Sequence, residues 1–215
     1  MTVTAAALIA TGCGSNTAGP KAFGGNTAKA GGAPGEVSAL LAGIPQHGRA
    51  LGDPRAPVVV QFFGDLQCPL CRKFALGSLD ALINSYVRGG KLKIEYRSLE
   101  TATHNPQTFE TQQVAALAAG RQNRMWNFIE LFYRQQREED SGYVTERFLQ
   151  GLAQQVGGLN LTAWTAARDD PALVNTLVAD GQGASDADIR STPSFRFGET
   201  RPTPYLAAIK KLLSG

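Results

Sequence analysis

The sequence predicts an α/β protein: a strand–helix–strand unit, a block of helices, then a closing strand and helix. Three observations carry this. Val58-Val59-Val60-Gln61-Phe62-Phe63 is dominated by β-branched and aromatic residues, as in a strand covered on both faces. Phe74, Leu76, Leu79, Leu82, Ile83 and Val87 then recur at helical spacing, and Gly89-Gly90 ends the run. Leu92, Ile94 and Tyr96 alternate with Lys93, Glu95 and Arg97, which is the pattern of a strand with one polar face. Two strands joined through a helix pair in parallel.

The remaining elements follow in order. Met1 to Ala10 is short and apolar and leads to Thr11-Gly12-Cys13-Gly14-Ser15, which resembles the end of a bacterial lipoprotein signal peptide with Cys13 as the lipidated residue. Asn16 to Gly35 is rich in Gly, Ala, Thr and Asn without periodic apolar residues, so residues 14–43 read as a flexible tether, with a modest helix at Val37 to Ala42. Gly52-Asp53-Pro54-Arg55-Ala56-Pro57 is a turn-rich lead into the first long strand. Beyond Asn105-Pro106 the middle is helical: Thr108 to Arg121, Met125 to Gln136, Val144 to Val156 introduced by Thr145, and a short helix from Thr162 that contains Trp164. Both Trp126 and Trp164 read as core, and the charged run Arg134 to Asp140 as a solvated helix end. Pro171 to Ile189 is helical, Arg190 to Gly198 turns into a strand, and Tyr205 to Leu213 closes the chain as an amphipathic helix.

At 215 residues the chain suits one sizeable domain, or one domain with an insertion. A net charge of +3 without a basic stripe argues against nucleic acid as a partner, and no apolar run approaches the ~20 residues of a spanning helix. No phosphate-binding glycine motif and no cofactor motif occurs.

The chemistry-bearing run is Asp65-Leu66-Gln67-Cys68-Pro69-Leu70-Cys71, at the junction of the strand and the helix. Residues three apart on a helix have Cβ atoms about 5–6 Å apart, and a disulfide needs Cα atoms roughly 4.4–6.8 Å apart. Cys68 and Cys71 thus form a pair that opens and closes without moving the fold. Pro69 suits the first helical position. Cys68 then sits at the cap, where free amides and the positive dipole end favour a thiolate, with Arg72 and Lys73 adding charge in the first turn. Cys68 reads as the nucleophile and Cys71 as the resolving thiol. Three other readings stand beside this one. A structural staple would gain only about 2 kcal/mol from so small a ring. A zinc site would need two ligands more, from Cys13, His47 and His104. The third is a pair of inert thiols. Asp65 is either a proton acceptor for Cys71 or a carboxylate capping the helix start.

Several segments together carry a resemblance. Leu51-Gly52-Asp53-Pro54 with Ala56-Pro57-Val58, Phe63 to Cys71, Met125-Trp126-Asn127-Phe128 with Leu131-Phe132 and Gln135-Gln136, and Thr192-Pro193-Ser194-Phe195 resemble the DsbA-like branch of the thioredoxin superfamily, the bacterial extracytoplasmic thiol–disulfide oxidoreductases. The resemblance runs from about Ile44 to Leu213. It implies a thioredoxin fold at 44–100 and 170–215 interrupted by a helical domain at 101–169. It also implies a Cys68–Cys71 disulfide that oxidises client thiols, and a cis Thr192–Pro193 bond facing that disulfide. Thr192 backbone groups would then be free to pair with an extended client.

Implied partners are cysteine-containing exported polypeptides and a membrane thiol-reoxidising protein, with the chain itself a monomer and no cofactor or metal. Leu70 stands where strongly oxidising relatives often carry His, which implies a milder oxidant, and Phe62 stands where many carry a buried acid. An isomerase or reductase on the same scaffold, and a non-catalytic module holding peptides beside Pro193, are the alternatives.

Overall fold

The computed structural model of the protein describes residue 1, residues 33–198 and the backbone of residues 203–204. Cys13, most of the tether and the helix expected from Tyr205 to Leu213 lie outside the described residues. The elements are α1 (Ala33–Leu41), β1 (Gln46–His47), β2 (Ala50–Leu51), β3 (Val58–Gly64), α2 (Pro69–Phe74), α3 (Asp80–Leu82), β4 (Leu92–Ser98), α4 (Pro106–Gly120), α5 (Met125–Gln135), α6 (Glu146–Gln155), α7 (Leu161–Ala167), α8 (Pro171–Asp186), β5 (Ser194–Phe197) and β6 (Thr203–Pro204). The strands form one sheet in the order β1-β2-β4-β3-β5-β6. β3 and β4 are parallel with Phe62 opposite Tyr96, and β5 runs antiparallel to β3 with Phe63 opposite Ser194. This is a thioredoxin fold with a helical block between β4 and α8.

The central position of β3 explains its composition. Val60 and Phe62 enter the main core and Phe63 a smaller one with Ala184 and Ile189, so both faces are covered from Phe62 onward. Val58, at the strand's start, is half exposed. Strand β4 alternates buried and half-buried residues along its length, as the sequence pattern requires. The main core is continuous from the sheet into the helical block. Trp126 and Trp164 are both fully buried in it, with indole N–H groups satisfied by the carbonyls of Arg49 and Ala115.

Four differences from the sequence reading have local causes. The tether gives way to helix at Ala33, not after residue 43, because Val37 and Leu41 bury against the core. The small hairpin β1–β2 lay in a stretch too short to show periodicity, and it extends the sheet beyond β4. Asn105 and Asn160 cap α4 and α7 through their side chains, so those helices begin before Thr108 and Thr162. The helix expected from Pro69 to Val87 is continuous but widens into π turns at Ala75–Leu79 and Ile83–Val87.

The charged run also departs from a simple solvated end. Arg134 lies beside Glu36, Asp80 and Glu130, joining α1, α3 and α5. Glu130 is fully buried without a hydrogen-bond donor on either oxygen. Burial, and then the neighbouring Asp80, push its carboxyl up to about 8 against the pull of Arg134.

Gly52 shows how tightly the hairpin is joined to the sheet. Its φ is +114°, and a Cβ there would stand 2.7 Å from the Leu92 carbonyl oxygen. Gly52→Ala should therefore cost about 2–3 kcal/mol through strain and overpacking, read as a lowered urea midpoint at unchanged slope.

Candidate active site

The redox segment is shaped by β3, which delivers the chain to Asp65, and by α2, which starts at Pro69. Cys68 is the helix cap itself: its sulfur accepts from the Cys71 amide at 3.3 Å. Both cysteines are buried free thiols. Pro69 is exposed, and Leu70, at 62% exposure, projects an apolar side chain beside the pair.

The two sulfurs differ sharply in ionisation. Cys68 is brought down to about 6, first by the Cys71 thiol, then by the Thr192 hydroxyl and the Cys71 and Leu70 amides, with burial opposing. Burial and the Cys68 sulfur push Cys71 well above the usual thiol range. The asymmetry divides the pair into a readily ionised sulfur, Cys68, and one that keeps its proton, Cys71. Of the two expected sources, the cap amides are in place, with the Cys71 amide donating to the sulfur at 3.3 Å, whereas Arg72 donates to the Tyr133 carbonyl at 2.9 Å and Lys73 is exposed. Hydrogen bonding at the helix cap, not the two cations, holds the anion.

The Thr192–Pro193 bond is cis, and the Thr192 carbonyl lies 3.5 Å from the Cys68 sulfur. That carbonyl was expected to be free for a client. In the dithiol it accepts the Cys68 S–H, so it becomes available once that proton leaves. Phe62, in place of an acid, stacks on Phe195 with ring centroids 5.4 Å apart and tilts against Phe74 at 5.0 Å.

Asp65 fits neither of its two expected roles. Its carboxylate is fully buried and takes six hydrogen bonds. Oδ2 accepts the amides of Thr101, Ala102 and Thr103 at 3.1, 2.9 and 2.9 Å. Oδ1 accepts from the Gln67 amide, the Thr103 hydroxyl and Gln112. Helix capping belongs to Cys68, and the Asp65 group near Cys71 is its backbone. The carboxylate ties the loop after β4 to the redox turn.

Other residues of the site escaped the sequence reading. Gln67 donates to the Thr103 hydroxyl and accepts the Asp140 amide, while Gln136 donates to the carbonyls of Leu66 and Cys68. The Tyr133 hydroxyl donates to the Asp65 carbonyl. Gln136 stood within a motif already noted, but nothing in a lone glutamine signals which carbonyl it serves. Among the described residues, no three His, Cys, Asp or Glu side chains converge as metal ligands.

An asymmetric cysteine pair at the start of a helix, faced by a cis-proline loop on a thioredoxin sheet, defines a thiol-redox type of site. A family model described as Thioredoxin matches residues 45–212, and the chain belongs to that family. Two curated relatives carry the name "Probable disulfide bond formation protein D". The protein from Bacillus anthracis is 22% identical over 77% of this chain and 76% of its own length, and that from Bacillus cereus 26% identical over the same shares. Among solved structures, oxidised BdbD from Bacillus subtilis superposes with a TM-score of 0.66 at 19% identity, covering 80% of this chain and 98% of the other. That likeness fixes the fold.

Proposed function

We propose that this protein is a thiol–disulfide oxidoreductase that forms disulfides in exported polypeptides through Cys68 and Cys71. The observation that carries the reading is the placement of two free thiols in the first turn of α2, with the Cys68 sulfur capping the helix 3.3 Å from the Cys71 amide and facing the cis Thr192–Pro193 loop; the split ionisation of the two sulfurs agrees with it. In the oxidised enzyme a client thiolate attacks the Cys68 sulfur. The Cys68–Cys71 bond breaks, and the Cys71 sulfur leaves with the electron pair and takes a proton. A second client thiolate then attacks the client sulfur of the mixed disulfide and expels Cys68 as the thiolate. The client loses two electrons and two protons, and the enzyme becomes the dithiol.

Thr192 and Pro193 line the client side, with Leu70 as an apolar contact and Pro69 and Asp65 as supports. Reoxidation falls to a membrane thiol-oxidising partner. The helical block at 101–169 acts as an inserted unit in the oxidoreductase fold at 44–100 and 170–215, and the working form is a monomer. An extracytoplasmic site, with Cys13 as a lipid anchor, fits the oxidising chemistry. No described helix is long and apolar enough to cross a membrane.

The decisive test is dithiol-peptide oxidation by purified protein. Cys68→Ser should lose all activity, and Cys71→Ser should likewise fail to oxidise the dithiol peptide but should accumulate a mixed disulfide on Cys68 when given the disulfide form of the peptide, whose sulfur its thiolate attacks. Full oxidation by Cys68→Ser would end this reading. A reduction potential near that of thioredoxin, about −270 mV, would instead assign a reductase.

A further inference from the structure

We infer that Thr101 is a positioning residue for exchange at Cys68: its hydroxyl, 2.5 Å from that of Thr192, turns the Thr192 proton toward the Cys68 sulfur when that sulfur is an anion. The inference rests on the redox reading above and adds a residue to it.

Thr101 lies outside the redox motif and the cis-proline loop, in the loop after β4. Its backbone is fixed by the Asp65 carboxylate, which also takes the next two amides. The Thr101 side chain is thus held at one point above Thr192. The Thr192 hydroxyl in turn pulls the ionisation of both active-site sulfurs downward, and the carbonyl of the same residue lies 3.5 Å from the Cys68 sulfur.

Proton counting then decides the direction of the chain. A threonine hydroxyl carries one proton and two lone pairs. If Thr192 gives its proton to Thr101, none is left for the sulfur. If Thr101 donates to Thr192, the Thr192 proton is free to point at Cys68. In the thiol state the sulfur has its own proton and donates it to the Thr192 carbonyl at 3.5 Å, so either direction serves. In the thiolate state the sulfur is only an acceptor. A hydrogen bond to an ionised group is roughly twice as strong as a neutral one, so the direction from Thr101 through Thr192 to Cys68 wins. Each bond in such a chain also polarises the next. The pair of hydroxyls therefore reorients as Cys68 ionises, and Asp65 acts on the sulfur only by holding Thr101 in place.

The test uses the full chain carrying Thr101→Val, which keeps the shape and removes the hydroxyl, and Thr101→Ser, which keeps the hydroxyl. Thr101→Ala replaces the valine variant if that one does not fold. Thiolate absorbance of the reduced protein is followed against pH, and the equilibrium with glutathione is measured at neutral pH. The hydroxyl-free variant should raise the Cys68 midpoint by about half a unit to one unit, a three- to tenfold loss in acidity. The glutathione equilibrium should move toward the oxidised protein, and Thr101→Ser should stay near wild type in both. An unchanged or lowered midpoint in the hydroxyl-free variant, or an equal shift in Thr101→Ser, overturns the inference. Loss of the functional reading shows differently: wild-type protein would then fail to exchange with glutathione, whatever the Thr101 variants do to the midpoint.

Discussion

Reduced protein should gain stability relative to oxidised protein by about 4 kcal/mol as the pH rises from below 6 to 9. Cys68 ionises at about 6 in the fold, against 9.0 for an unperturbed thiol. Between those values the unfolded dithiol binds more protons than the folded one, so stability climbs with pH; it is fully present above the unfolded value and lost as the pH falls through about 6. The disulfide form has no such thiol and serves as the baseline. At pH 7 only about 1.4 kcal/mol of the effect is realised, which makes the disulfide ~30 mV more oxidising than a pair with ordinary thiols. Above the unperturbed thiol value Cys71 works in the opposite direction, because burial holds its proton on in the fold. Urea midpoints of both redox forms across this range provide the measurement. A difference that does not vary with pH would mean that the sulfur at the helix cap is an ordinary thiol.

Asp65→Ala should destabilise both redox forms by about 3–5 kcal/mol, since several of the carboxylate's partners would be left without an acceptor. Three of these are consecutive amides of the loop after β4. Asp65→Asn is the sharper variant. It keeps the volume, but its amide nitrogen would face donors and repel part of the set. Both variants should speed hydrogen exchange at residues 101–103 far more than in β3. A stability within about 0.5 kcal/mol of wild type would show that the loop is held by its own packing instead.

What the sequence disclosed and what it hid separate along physical lines. Composition revealed β3, a strand covered on both faces, while periodicity revealed β4 and the helix after the cysteines, because alternation and the 3.6-residue stripe are consequences of one-sided burial. The spacing of Cys68 and Cys71 carried the redox pair, since the reach of a disulfide is fixed by helix geometry. The cis Thr192–Pro193 bond came through the family resemblance and not from the residues themselves. The polar scaffold stayed hidden. Asp65 meets Thr103 across 38 positions, and Gln136 meets Leu66 across 70. Such pairings depend on which loops the fold brings together, and no local pattern encodes them. Arg72 and Lys73 mislead for the same reason: their charge is visible in the sequence, but the carbonyl of Tyr133 that claims Arg72 is not.

The end of α5 bears on how this family can be trimmed. Tyr133 and Gln136 hold the carbonyls of Asp65, Leu66 and Cys68, while Arg72 reaches back to Tyr133. The helical block thus works as a mould against which the catalytic turn is cast. A minimal scaffold that kept the sheet and the two cysteines but dropped residues 101–169 would leave the Leu66 carbonyl and the Arg72 guanidinium without their partners, and the carbonyls of Asp65 and Cys68 with only the turn's own amides. Miniaturised versions would have to supply replacements for Tyr133 and Gln136 before any tuning of the sulfurs could be attempted.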